Sequence, residues 1–219
     1  MSPRQKELKV AGLFYLIFII FSFLADHFST FAQATTVQII EKILSNDFLF
    51  SLGLVFNILS GVFFLLAAWA LYKLLKNINS DYAFLFLILN LSGVVIQCLS
   101  VAFLFASKEL QISTLSSNIY APEQLHYLSV LFIHLYQNAF IIAQIFFGLW
   151  LLPLGYLIYK SKFLPKLLGI LILVDCVAIL LWFFQYFLFP DLLVFTNFCL
   201  LISLIAEVGL TLVLLFKRV

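Results

Sequence analysis

The chain has 219 residues, of which 65% are hydrophobic and 10% charged, with 12 basic and 10 acidic side chains and a net charge of +2. A soluble domain has about 45–50% apolar and about 25% charged residues, and it needs those charges to cover its surface. The composition therefore excludes a soluble enzyme, a disordered chain and a nucleic-acid-binding protein, and it indicates a membrane protein.

Six stretches of the sequence are apolar and long enough to cross a bilayer as helices, which takes about 20 residues each. They are, in chain order, residues 8–25, 48–75, 82–106, 127–159, 164–189 and 192–216. Their Leu, Ile, Phe and Val residues do not alternate with polar ones, as the strands of a membrane barrel would. We therefore predict an all-α fold, a polytopic transmembrane bundle of six helices that forms a single domain over residues 1–219.

The start of the chain also has features of a secretory signal peptide, which combines a basic beginning, an apolar core and a cleavage site of small residues. Basic residues precede the first apolar stretch, and Ala32-Gln33-Ala34 resembles a cleavage site. The segment between the apolar core and this motif is long and partly charged. We therefore expect an uncleaved first span.

The segment 34–46, between the first two spans, carries Val37, Ile40 and Leu44 at helical spacing among polar residues. This pattern is typical of a short amphipathic helix that lies on a membrane surface. We therefore predict an interfacial helix after the first span.

The distribution of Lys and Arg predicts the orientation, because cytoplasmic segments carry an excess of both. With the N-terminus inside, the outer segments hold only Lys42 and Lys108. The inner segments hold the other ten basic residues, Arg4, Lys6, Lys9, Lys73, Lys76, Lys160, Lys162, Lys166, Lys217 and Arg218. We predict a multi-pass membrane protein with both termini cytoplasmic.

Two motifs carry a resemblance to a known family. The turn between the fourth and fifth spans reads GYLIYKSKFLPKLLG from Gly155 to Gly169, and the first span contains AGLFYLI from Ala11 to Ile17. With its length and span count, the chain resembles the bacterial multi-pass membrane family catalogued as domain of unknown function 4386. A glutamate in the last span and a histidine in the fourth are similar to features of that family, and correspond here to Glu207 and His134. The resemblance implies a location in a bacterial inner (plasma) membrane, and it does not indicate which activity, if any, the protein has.

Two acidic residues lie deep inside the predicted spans, where each costs about 2.5–3.5 kcal/mol to insert. Asp175 and Glu207 are each about ten residues from the inner end of their span, or about 15 Å at 1.5 Å per residue. Their spans are consecutive and antiparallel, so the two carboxyl groups can be neighbours. No Lys or Arg lies at this depth, so we expect them to be protonated, hydrogen-bonded to His or amides, or bound to a cation.

Other polar residues of the spans complete the candidate ligand-binding set. His134 and Asn138 are one turn apart on the fourth span, Asn57 lies on the second, and Asn90 and Gln97 lie on the third. Amides often only join helices, typically for about 0.6 and at most about 2 kcal/mol, and for each amide taken singly we favour that role. The strongest site hypothesis combines the histidine of the fourth span with the two carboxyl groups.

From these residues we predict a protein that binds a small molecule, lipid or proton in a polar pocket between spans four to six, like a transporter or sensor. One alternative is an intramembrane enzyme acting on a lipid or isoprenoid, with His134 as acid/base or ligand. The other is a structural or partner-binding subunit. Expected partners are the lipid bilayer, a small hydrophobic ligand or proton, and a further copy of the chain. No metal motif such as HxxxH, HExxH or CxxC occurs, and no cofactor or catalytic residue can be assigned.

Overall fold

The computed structural model describes residues 2–29, 34–112 and 121–218, and these residues form seven α-helices and no strand. The helices are α1 (Pro3–Phe28), α2 (Thr36–Ser45), α3 (Asp47–Leu75), α4 (Ser80–Ile112), α5 (Pro122–Lys160), α6 (Lys166–Leu188) and α7 (Leu193–Phe216). Within the described ranges, every helix except α2 is long and apolar enough to cross a membrane. The prediction of an all-α protein with six candidate spans is confirmed. Ala32 and Gln33 of the cleavage-like motif lie outside the described residues.

Four of the spanning helices, α1, α3, α4 and α5, extend beyond the apolar stretches that predicted them, whereas α6 and α7 lie within theirs. The third span was expected to end at residue 106, but α4 continues to Ile112. Lys108, expected in a loop, is therefore helical and only 9% exposed, and its Nζ lies 2.7 Å from Asp47 Oδ1. Hydrogen bonds and capping groups set the end of a helix, whereas hydropathy shows only which part fits the hydrocarbon layer.

Helix α2 has two apolar faces. Thr35 caps it, because its hydroxyl accepts a hydrogen bond from the backbone N–H of Gln38, whose side chain accepts one from the backbone N–H of Thr35. Ile39 and Ile43 are buried in an apolar cluster with residues of α3, α4 and α5. Val37, by contrast, is 64% exposed. The location of this helix on a membrane surface stays a prediction.

The contacts between residues divide the chain into two compact units. The first unit comprises Met1–Ile17, Val62–Val94 and Ile142–Val219. The second unit comprises Phe18–Gly61 and Val95–Ile141. Helices α6 and α7 lie entirely in the first unit, which therefore contains both deep carboxyl groups.

The first unit also contains all ten basic residues that were predicted to be cytoplasmic. Contacts bring several of the helix ends that carry them together. Gln5 Nε2 donates a 2.6 Å hydrogen bond to the backbone oxygen of Lys217, and the Arg4 guanidinium lies 4.9 Å from the centre of the Phe163 ring. The start of α1, the end of α7 and the α5–α6 turn therefore meet. That this end faces the cytoplasm of a bacterium stays a prediction.

Two glycines allow α5 and α6 to approach closely within the first unit. A Cβ atom on Gly169 would lie 2.8 Å from the backbone oxygen of Gly155 and 2.7 Å from the backbone nitrogen of Tyr159. Small residues permit such backbone approach between membrane helices. Because Asp175 lies six residues beyond Gly169 on α6, this contact also fixes where that carboxyl group lies.

We expect Gly169→Ala to destabilise the protein by about 1–3 kcal/mol, because the new methyl group meets backbone atoms that cannot rotate away. Gly209→Ala is the matched control, since its Cβ would have Leu171 Cδ2 as nearest neighbour at 3.6 Å. The control should be neutral or gain up to about 1 kcal/mol from helix propensity. Unfolding of both variants in the same detergent is the measurement, and equal stability would contradict the close approach.

Candidate carboxyl site in the membrane-spanning helices

Asp175 and Glu207 lie near the middle of α6 and α7. Asp175 is the tenth residue of α6 (Lys166–Leu188), and Glu207 is the tenth residue from the end of α7 (Leu193–Phe216). Asp175 is therefore about 14 Å from the start of α6, and Glu207 is about 14 Å from the end of α7. The two carboxyl groups are close enough to interact electrostatically.

One hydrogen bond connects the two helices at this level. Ser203 Oγ of α7 donates a 2.5 Å hydrogen bond to Asp175 Oδ1, and Asp175 is 1% exposed. Glu207 lies one turn after Ser203, so both project from the same side of α7. Glu207 is partly buried, and its carboxyl group has no hydrogen-bond partner among the described residues. In the part of the chain that the structure describes, neither carboxyl group forms an ion pair.

Helix α1 contributes Tyr15 to the same site. Tyr15 is completely buried, interacts electrostatically with both carboxyl groups, and packs edge-on against Phe64 at 5.8 Å between ring centres. Gly12, one turn before it, permits the approach of α1 to α7, because a Cβ atom there would lie 2.9 Å from Leu215 Cγ. Sequence reasoning missed Tyr15, although both residues belong to the motif Ala11–Ile17.

Asn90 of α4 is a second polar group inside the first unit. It is completely buried, and neither its Nδ2 nor its Oδ1 has a hydrogen-bond partner in the described ranges. Its neighbours one turn away pack against aromatic rings. Phe86 lies 6.2 Å from Trp150 between ring centres, and a Cβ atom on Gly93 would lie 2.5 Å from the Phe147 ring. A buried amide without a partner costs about 1–3 kcal/mol, which makes Asn90 a candidate ligand contact.

The other predicted site residues belong to the second unit. Gln97 Nε2 donates a 3.0 Å hydrogen bond to Asn57 Oδ1, and both residues are buried. His134 is exposed, and its Nε2 lies 3.3 Å from Thr36 Oγ1. Asn138, one turn further along α5, is also exposed. The amide pair is therefore a helix-joining contact of the kind that was favoured for single amides.

Residues 10–217 match the model of a protein family described as Domain of unknown function (DUF4386). The chain belongs to this family. The match extends over nearly the whole chain and confirms the resemblance carried by the two motifs. The chain matches no curated protein and no solved structure. Together with its six apolar helices, membership of DUF4386 indicates an integral membrane protein in a lipid bilayer.

The acidic, histidine and cysteine side chains of this DUF4386 protein are dispersed. Among the described residues, no three of them come together in a group that could hold a metal ion. Of the three cysteines, Cys176 and Cys199 are buried and Cys98 is partly buried, and all are free thiols. The carboxyl pair with Tyr15 and Ser203 is the candidate site of the first unit.

We expect Asn57→Leu and Asn90→Leu to have opposite effects on stability. Asn57→Leu leaves the buried Gln97 amide without its partner and should cost about 1–2 kcal/mol. Asn90→Leu removes an amide that lacks a partner, so it should be neutral or stabilising. Thermal unfolding of both variants in one detergent measures the difference.

The double variant Asn57→Leu/Gln97→Leu is the control for this comparison, because removal of both amides leaves no unpaired group and should restore most of the stability. If Asn90→Leu destabilises the protein as much as Asn57→Leu does, Asn90 has a structural role and is no longer a ligand candidate.

Proposed function

We propose that this integral membrane protein binds a proton or a small ligand at the pair formed by Asp175 and Glu207, and acts as a transporter or sensor. One observation carries the proposal. Ser203, which lies one turn before Glu207 on α7, donates a hydrogen bond to Asp175 of α6, and it is the only hydrogen-bond donor to the two carboxyl groups in the described part of the chain.

The physical argument begins with charge. An ionised carboxyl group is costly to remove from water unless it is paired, and two such groups at short range also repel each other. A proton shared by the pair removes one of the two charges. The positive group of a ligand would have the same effect. The site therefore favours a proton, or a small molecule that brings positive charge or hydrogen-bond donors.

Asn90 supports the binding of a ligand larger than a proton. Its buried amide offers both a donor and an acceptor, and the described residues satisfy neither. Natural proteins rarely leave such a group without a partner, because a buried amide loses its hydrogen bonds to water. A ligand that carries a carbonyl or hydroxyl group would satisfy the donor and the acceptor of Asn90.

Two other functions predicted from the sequence stay predictions. An enzyme acting on a lipid was expected to use His134 as its acid/base group, and this exposed side chain contacts Thr36 in the second unit. A purely structural role does not explain two carboxyl groups inside the spans, because amides join membrane helices without the free-energy cost of burying a charge.

The proton itself is the probe for the proposal. Infrared spectra of the protein in lipid nanodiscs, recorded as the pH is changed, report the C=O band of protonated carboxyl groups. In the pH range in which the pair holds a single proton, the double variant Asp175→Asn/Glu207→Gln should bind about one proton fewer per molecule than the parent. Glu41→Gln, which changes an exposed carboxyl group on α2, is the control. It should leave unchanged the part of the C=O band that the double variant removes.

Proteoliposomes with an internal pH-sensitive dye separate a transporter from a sensor. An imposed membrane potential should drive proton flux through the parent and not through the double variant if the pair lies on a transport path. Absence of flux in the parent, together with a titrating band, identifies a binding or sensing role. Equal proton uptake by a folded double variant and the parent would refute the proposal.

A further inference from the structure

An apolar groove runs between α6 and α7 within the first unit, with a volume of about 350 Å³. On the α6 side, its wall includes Ile170, Val174, Val177 and Leu181, which are all exposed. These residues follow one face of the helix and span about 16 Å at 1.5 Å per residue. This wall of the groove is therefore about half as long as the hydrocarbon layer is thick.

The groove lies directly beside the carboxyl site, because Ala178, which is 3% exposed and also lines the groove, is one turn from Asp175 on α6. Val174 is 46% exposed and lines the groove, whereas the next residue, Asp175, is 1% exposed and bonds to Ser203. Phe198 on the α7 side is 61% exposed. The exposed residues of its wall give the groove an open outer side, and an occupant that enters from this side does not depend on the function proposed for the carboxyl pair.

Positive charge lies at one end of this groove. Lys166 precedes Ile170 by four residues, so it lies on the same face of α6, one turn beyond the apolar wall. Lys160 and Lys162 lie in the adjoining α5–α6 turn, and no acidic residue occurs from 160 to 166. All three lysines are exposed. An occupant should therefore combine an extended apolar chain with an anionic group at one end.

We propose that the groove binds one acyl chain of an anionic phospholipid whose phosphate contacts Lys166. Charge complementarity selects this occupant, because a zwitterionic headgroup carries its own compensating charge. A second copy of the chain in the same orientation would bring its own lysines against these and repel them. The lipid thus seals the outer side of the helix pair that carries the two carboxyl groups.

Native mass spectrometry of protein purified with equal amounts of phosphatidylglycerol and phosphatidylcholine tests the proposal. The parent should retain one phosphatidylglycerol in preference to phosphatidylcholine. Lys166→Gln should reduce this preference about fivefold, and Lys166→Arg should keep it, since one basic residue near a headgroup contributes that much. Val177→Trp should fill the groove and remove the retained lipid of either kind.

Leu212→Trp is the matched control, because Leu212 is 50% exposed on α7 and lies outside the groove. It should retain lipid as the parent does. Val174→Trp is a second groove-filling variant, and unfolding curves identify any variant that fails to fold. Equal retention of both lipids by the parent, or unchanged retention by a folded groove-filling variant, would overturn the proposal. A dimer that Val177→Trp dissociates would also overturn it, because a second copy would then occupy the groove.

Discussion

A polar side chain inside a membrane-spanning helix has no water to bond with, so its partners must come from the protein or from a ligand. This constraint distinguishes the polar residues of the chain. Asn57 and Gln97 bond to each other, and Asp175 accepts a hydrogen bond from a serine hydroxyl. Asn90 and the Glu207 carboxyl group have no hydrogen-bond partner in the described ranges. Groups that the fold leaves without partners are therefore where a ligand or a proton has most to contribute.

The two sequence motifs that carry the family resemblance act at helix contacts. Gly12, in the first motif, lets α1 approach α7, and the second motif begins and ends with Gly155 and Gly169, which bring α5 and α6 together. These two contacts hold the helices that carry the two carboxyl groups. Tyr15, three residues after Gly12, is thereby close enough to both carboxyl groups to interact with them electrostatically. The motifs thus explain how the site is assembled as well as how the chain turns.

Composition and hydropathy predicted the fold because the length of an apolar stretch is a local property of the sequence. They placed the end of α4 too early, because the helix continues to Ile112, past the apolar part of the sequence. The positions of Asp175 and Glu207 along their helices could be predicted by counting residues. The roles of Tyr15 and Ser203 could not, because a hydroxyl group is unremarkable in a span. Their partners depend on how each helix is rotated about its axis. The sequence does not show this rotation when a span is apolar on all its faces.

Helix α6 connects the carboxyl site with the apolar groove. The hydrogen bond from Ser203 to Asp175 joins the same pair of helices that form the groove. The separation of α6 and α7 therefore sets both the length of that bond and the width of the groove. A proton or ligand that changed this separation would change the affinity for lipid, and the lipid would change the affinity for the proton by the same factor. Coupling of this kind needs no chain of intermediate residues, because a single helix pair carries both sites.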